Sequence, residues 1–245
     1  MTSAVSLRQE TLDDLWDFDD PAASEQRMVR AARSRGLTPG ERAELETQQA
    51  RALGLQGRFD EADAVLDGIS FDSPAVATRK LLERGRLRNS AGQAAEAVPL
   101  FEGAVGIASR AGLVFLQVDG LHMLAIADSG RAAHWTGEGL AALERAVDDR
   151  TRRWAVALHN NLGWSLHGAN RLDEALEEFS LALDAASRFG GDDQLFYARW
   201  SYARCLRSLD RVPEALAIQR ELSMERPSDE SVAGELAILT AVPGD

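Results

Sequence analysis

The sequence predicts an all-α protein assembled from repeated pairs of antiparallel helices, and three observations carry that expectation. First, a small residue in one amphipathic segment is followed twelve positions later by Ala or Gly in the next segment. The pairs are Ala50 and Ala62, Gly85 and Ala97, Ala127 and Gly139, Gly163 and Ala175, and Ala203 and Ala215. Small side chains at a fixed separation let two helix backbones approach closely, and repetition makes the pair a stacking unit. Second, helix formers (Ala, Leu, Glu and Arg) dominate a chain that is only 6% aromatic. Third, no stretch alternates with the two-residue period of a strand.

The elements follow in order along the chain. Residues 1 to 20 carry six acids (Glu10, Asp13, Asp14, Asp17, Asp19 and Asp20) against Arg8, with Leu7, Leu12, Leu15, Trp16 and Phe18 scattered among them. Such a segment buries little on its own. Asp20 followed by Pro21 gives an N-cap and a first-turn proline, opening a helix that ends at Gly36. Residues 1–38 therefore read as an acidic segment and capping helix, packed together through Leu12, Leu15 and Trp16. The alternative is that the acids and aromatics dock in a groove of the array. Pro39 opens that array, which spans 39–241. Gly57, Gly92, Asn170 and Asp210 mark turns inside the first, second, fourth and fifth pairs, and the third turn falls near Ala132 to Thr136. Gly112, Gly190-Gly191 and Pro227 separate successive pairs, and Ser228 is the expected N-cap of a final capping helix.

The clearest copy runs from Asn160 to Gly190, with Leu162-Gly163 in the first helix and Ala175, Phe179 and Ala182 in the second. This pattern resembles the tetratricopeptide repeat. Leu66, Phe101 and Leu143 stand four residues after the second-helix small residue of their own copies, as Phe179 does, whereas Gln219 takes that aromatic slot in the last copy. Successive copies lie 35, 42, 36 and 40 residues apart, against a usual period of about 34. The chain also resembles a class of stand-alone bacterial tetratricopeptide proteins through His122-Met-Leu-Ala, His159-Asn-Asn-Leu-Gly-Trp, Ala198-Arg-Trp and Ala203-Arg-Cys-Leu-Arg-Ser-Leu. The resemblance implies a right-handed superhelical solenoid of about five helix pairs with capping helices. It implies an interaction module and supplies no catalytic residue.

In tetratricopeptide arrays the first helix of each pair lines a concave groove, and its inner stripe is read here at i, i+4, i+7 spacing. The stripes are Thr47, Arg51, Gly54; Leu82, Arg86, Asn89; Leu124, Asp128, Arg131; Asn160, Trp164, His167; and Trp200, Arg204, Arg207. Arginine forks match carboxylates, tryptophans offer flat surfaces with one donor, and Asn160 can pair with a peptide backbone. Arg86, Arg131, Asn160, Trp164, His167, Trp200, Arg204 and Arg207 are therefore the candidate binding residues for an acidic peptide or protein segment. In the competing reading the arginines pair with acids on adjoining helices and the tryptophans pack between repeats. A clamp of two lysines, as in some family members, is not expected, because the chain has one lysine, Lys80.

A net charge of −12 argues against a nucleic-acid partner, which requires a basic face. One cysteine, Cys205, suits a reducing compartment. The start of the chain has no leader pattern, and no run of 18 apolar residues suggests a membrane span. A cytoplasmic protein is expected. His159 and His167 are eight apart, about 80° around a helix and two turns distant, so one metal ion cannot bridge them. No cofactor, metal or catalytic residue is expected. Two other functions compete with the adaptor: a regulator that senses a peptide or small ligand, and an enzyme on an α/α scaffold, which lacks a convergent nucleophile and base. Oligomeric state is left open by the sequence.

Overall fold

The computed structural model describes residue 7 and residues 9–241. Arg8 and the first six residues of the acidic segment lie outside the described residues. The described chain is helical, with no strand, and divides into two units, 1–128 and 129–245.

In the N-terminal unit a short α1 (Gln9–Asp13) precedes α2 (Pro21–Ala32), which packs on α3 (Pro39–Leu55). Asp20 caps α2 by accepting from the Ala23 amide at 2.9 Å, as the Asp-Pro step predicts. Thr38 and Glu41 form a reciprocal capping box at the start of α3, which satisfies two amides that would otherwise lack acceptors. Two helix pairs follow, α3 with α4 (Phe59–Gly68) and α5 (Pro74–Ser90) with α6 (Ala94–Ala111), and α7 (Val114–Ala127) closes the unit. Helix α5 packs beside both α3 and α7, so the three form one row. The acidic segment packs on the capping helix as expected: Leu12 is fully buried with Met28, Ala32 and Leu45, and Leu15 and Trp16 pack against them.

The C-terminal unit opens with a 3-10 turn, Ser129–Arg131, and α8 (Ala132–Leu143). A one-turn α9 (Asp149–Arg152) precedes the pairs α10 (Trp154–Gly168) with α11 (Leu172–Phe189) and α12 (Asp192–Ser208) with α13 (Val212–Glu225). The final helix, α14 (Glu230–Ala241), packs on α13 and α12, so α10, α12 and α14 form one row.

The twelve-residue spacing produces the close approaches it predicts. A Cβ on Gly163 would sit 2.7 Å from the ring of Phe179, and one on Gly85 would collide with Phe101. Both rings are fully buried. Positive φ occurs at Gly57, Gly92, Asn170 and Asp210, the four residues assigned to turns inside pairs. Glycine, asparagine and aspartate tolerate that left-handed geometry best.

Three expectations need correction. The third turn lies at Asp128–Arg131, and α8 has already begun at Ala132. The helices read as the third pair, α7 and α8, fall in different units, and Gly139 makes its close approach to Leu158 of α10 instead. The last helix is capped by Asp229, whose side chain accepts from the Val232 amide at 3.0 Å, and not by Ser228.

Candidate functional sites

In the N-terminal unit the row α3, α5, α7 carries a belt of charge. Glu44 pairs with Arg79 at 3.2 Å, and Arg86 bridges Glu83, at 2.6 Å, and Asp119. Glu44, Arg79, Glu83 and Asp119 are all buried. Carboxylates at such depth persist only when paired and hydrogen-bonded. Burial is the largest influence on Glu83 and raises its carboxyl, opposed by Arg86 and Arg51. Burial likewise pushes His122 down to about 4. The acidic segment lies on this belt as well as on the capping helix. The Leu7 amide donates to Glu44 and Arg79 donates to Gln9 at 2.8 Å, while Trp16 donates to Gln48 at 3.1 Å. Trp16 and Phe18 stack in parallel, 4.8 Å apart, and the Arg51 guanidinium lies 5.5 and 5.6 Å from their centroids.

The stripe read from sequence is slightly out of phase here. Leu82 and Leu124, assigned to the groove, are buried in the core. Arg51, Gly54 and Arg86 of the stripe do line the open face, and Glu83 and Met123 join them there. Of the candidate binding residues, Arg86 is on this face but is fully engaged by Glu83 and Asp119.

In the C-terminal unit the structure brings most of the predicted residues together. Trp164 and Trp200 lie 5.9 Å apart, Trp164 packs edge-on to Phe179, and His167 reaches Ser208 at 2.8 Å. Both tryptophans also pack against hydrophobic clusters, so inter-repeat packing is one of their roles. The indole N–H of Trp200 is buried without a hydrogen-bond partner. Arg204 and Arg207 converge as expected, but on Glu235 of α14. Arg207 donates to it at 2.7 and 3.2 Å, and Arg204 bonds the same carboxylate. Burial, then Arg204 and Arg207, lower the His167 imidazole. Arg131 is apart from this group: it lies in the 3-10 turn with its guanidinium 4.6 Å from the Trp135 ring.

Towards the N-terminal ends of α10 and α12 the same row opens into two adjoining hollows of about 210 and 230 Å³. Ala157 and Gln194 line both. Arg150, Arg153 and Trp154 wall the first; Asn160, Asn161, Asp193 and Tyr197 wall the second. Asn160 thus lines the second of these hollows.

Sequence reasoning missed Glu235, Arg150, Arg153 and Tyr197. For Glu235 a signal existed: it is the lone acid inside the run from Val232 to Leu239, and only a buried partner explains a carboxylate there.

No protein-family model matches the chain, and no curated protein shows significant similarity to it. Solved structures do. The chain is similar to BtubC (BKLC) from P. vanneervenii, at 16% identity over 96% of this chain and 94% of that one, with a TM-score of 0.61. It is also similar to a putative kinesin light chain from Podosopora anserina with nearly identical TPR-like repeats, at 18% identity over 84% and 99%, with a TM-score of 0.55. The fold is an all-α helical-repeat solenoid of the tetratricopeptide type.

Proposed function

We propose that the protein is a non-catalytic scaffold that binds an extended peptide or protein segment along the α10–α12 face of its C-terminal unit. The observation that carries this reading is the pair of adjoining hollows, where Asn160 and Gln194 offer amides able to pair with a peptide backbone. Tyr197, 47% exposed, supplies an aromatic surface. Arg150 and Arg153 at one end favour acidic side chains. Arg204 and Arg207 contribute to such binding only when a ligand displaces Glu235, so the cleft, not the arginine pair, is the primary contact. A cytoplasmic location goes with this reading. Among the described residues no helix is long and apolar enough to cross a membrane. The inertness of the most nucleophilic side chain supports a non-catalytic role: Cys205 is buried, and burial followed by Asp173 raises its thiol to about 11.

The test selects a displayed library of random twelve-residue peptides on the full chain. Enriched peptides are then measured against native protein and an Asn160→Ala, Tyr197→Ala variant of unchanged helicity and melting. Enrichment of acid-containing sequences that bind the variant about tenfold or more weakly supports the cleft. Failure to enrich any sequence, or equal binding by the variant, overturns it.

A further inference from the structure

A third hollow, of about 220 Å³, lies in the N-terminal unit on the α3–α5–α7 row, lined by Arg51, Gly54, Leu55, Glu83, Arg86, Leu87, Ser90 and Met123. Its charged groups are unevenly provided for. Arg86 is saturated by two carboxylates, whereas among the described residues no carboxylate lies within ion-pair distance of Arg51. The rings of Trp16 and Phe18 flank the Arg51 guanidinium, and neither ring lines the hollow. Glu83 is 97% buried; one of its oxygens takes a bond from Arg86, and the other, Oε2, has no partner. An acceptor left alone at that depth costs about 1–3 kcal/mol. The hollow therefore presents a guanidinium with no ion-pair partner among the described residues, with Leu55, Leu87 and Met123 as apolar wall between helices.

We propose that this hollow is a binding site for an apolar amino-acid carboxylate, with the carboxylate on Arg51 and the side chain against Leu55, Leu87 and Met123. The space equals about seven waters and falls below the range of drug-sized pockets, which limits the ligand to roughly a dozen non-hydrogen atoms. Displacing water beside Arg51 strengthens the ion pair, because the flanking rings already exclude solvent on their side. Two sources present this chemistry, a free small molecule and the last residue of a peptide. The site uses other helices than the α10–α12 cleft and stands whether or not that cleft binds peptide.

Calorimetric titration of the full chain tests it, with N-acetyl-leucine and N-acetyl-alanyl-alanyl-leucine, each beside its C-terminal amide. The acid forms bind at least tenfold tighter than the amides. Arg51→Gln removes that preference, and Ser90→Trp, which fills the mouth and leaves every charge in place, removes binding of both. Tighter binding of the tripeptide identifies a peptide end as the source, and tighter binding of N-acetyl-leucine a free small molecule; either result supports the site. Acids that bind no better than amides, affinities unchanged in both variants, or no heat from either acid would overturn it.

Discussion

Gly163→Ala tests the packing logic of the repeat. An alanine Cβ would lie 2.7, 2.8 and 3.0 Å from Cε1, Cδ1 and Cζ of Phe179, against about 3.5–4.0 Å for carbon atoms in comfortable contact. The ring is fully buried and cannot swing into solvent. Overpacking of this kind costs about 1–3 kcal/mol, while replacing glycine inside a helix returns about 1 kcal/mol. The variant should therefore lose up to about 2 kcal/mol. Phe179→Ala alone should lose about 3–5 kcal/mol. Once the ring is gone the clash is gone too, so adding Gly163→Ala to Phe179→Ala should stabilise by about 1 kcal/mol. The four proteins form a double-mutant cycle with a coupling of about 1–3 kcal/mol. Urea unfolding followed by circular dichroism reads it. A Gly163→Ala effect equal in both backgrounds to within about 0.5 kcal/mol would refute close approach as the reason for glycine.

Four other outcomes follow from the same geometry. Glu235 is 2% exposed while Arg204 and Arg207 reach solvent, so Arg204→Gln, Arg207→Gln strands a buried carboxylate and should cost more than Glu235→Gln; equal thermal destabilisation would contradict this. Gln219 is fully buried with neither Oε1 nor Nε2 partnered, so Gln219→Leu should stabilise by about 1–3 kcal/mol in urea melts, and a loss would show that the amide is satisfied. The His122 imidazole titrates near 4 in the folded chain and near 6.5 unfolded, so its contribution is present above pH ~6.5 and is lost as pH falls to ~4; at most about 3 kcal/mol is at stake. His122→Gln should flatten that part of the stability profile, and an identical profile would refute the assignment. The Cys205 thiol, buried and raised to about 11, should react with a thiol reagent at pH 8 only at the rate of unfolding, and immediate labelling would exclude burial.

The sequence made the helix pairs legible because each local signal had one physical meaning. Gly163 and Phe179 lie sixteen residues apart and touch, as the pattern requires, and Asn170 and Asp210 take the left-handed turns that their side chains tolerate. The third pair was misread because Gly139 carries the right residue type for a different neighbour, Leu158. Spacing reports that a close approach exists but not with which helix. The candidate site was legible in part. Helical periodicity placed Trp164, His167, Trp200, Arg204 and Arg207 side by side, yet a small rotational error in α5 and α7 put Leu82 and Leu124 in the groove. Whether an arginine is available depends on contacts made far along the chain. Glu235 lies 28 residues beyond Arg207, and nothing local to the arginine announces it.

The contact between Glu235 and the two arginines makes α14 a tethered competitor. An acidic ligand approaching Arg204 and Arg207 contends with a carboxylate held on the same chain, whose effective concentration is on the order of millimolar or higher whatever the protein concentration. Affinity for the bare arginines would be reduced by the ratio of that effective concentration to the dissociation constant of the Glu235 contact itself, and weak acidic ligands would register no binding. Shortened versions of the protein that end before Glu230 carry no such competitor. They would report an attraction for acidic peptides that the intact chain suppresses.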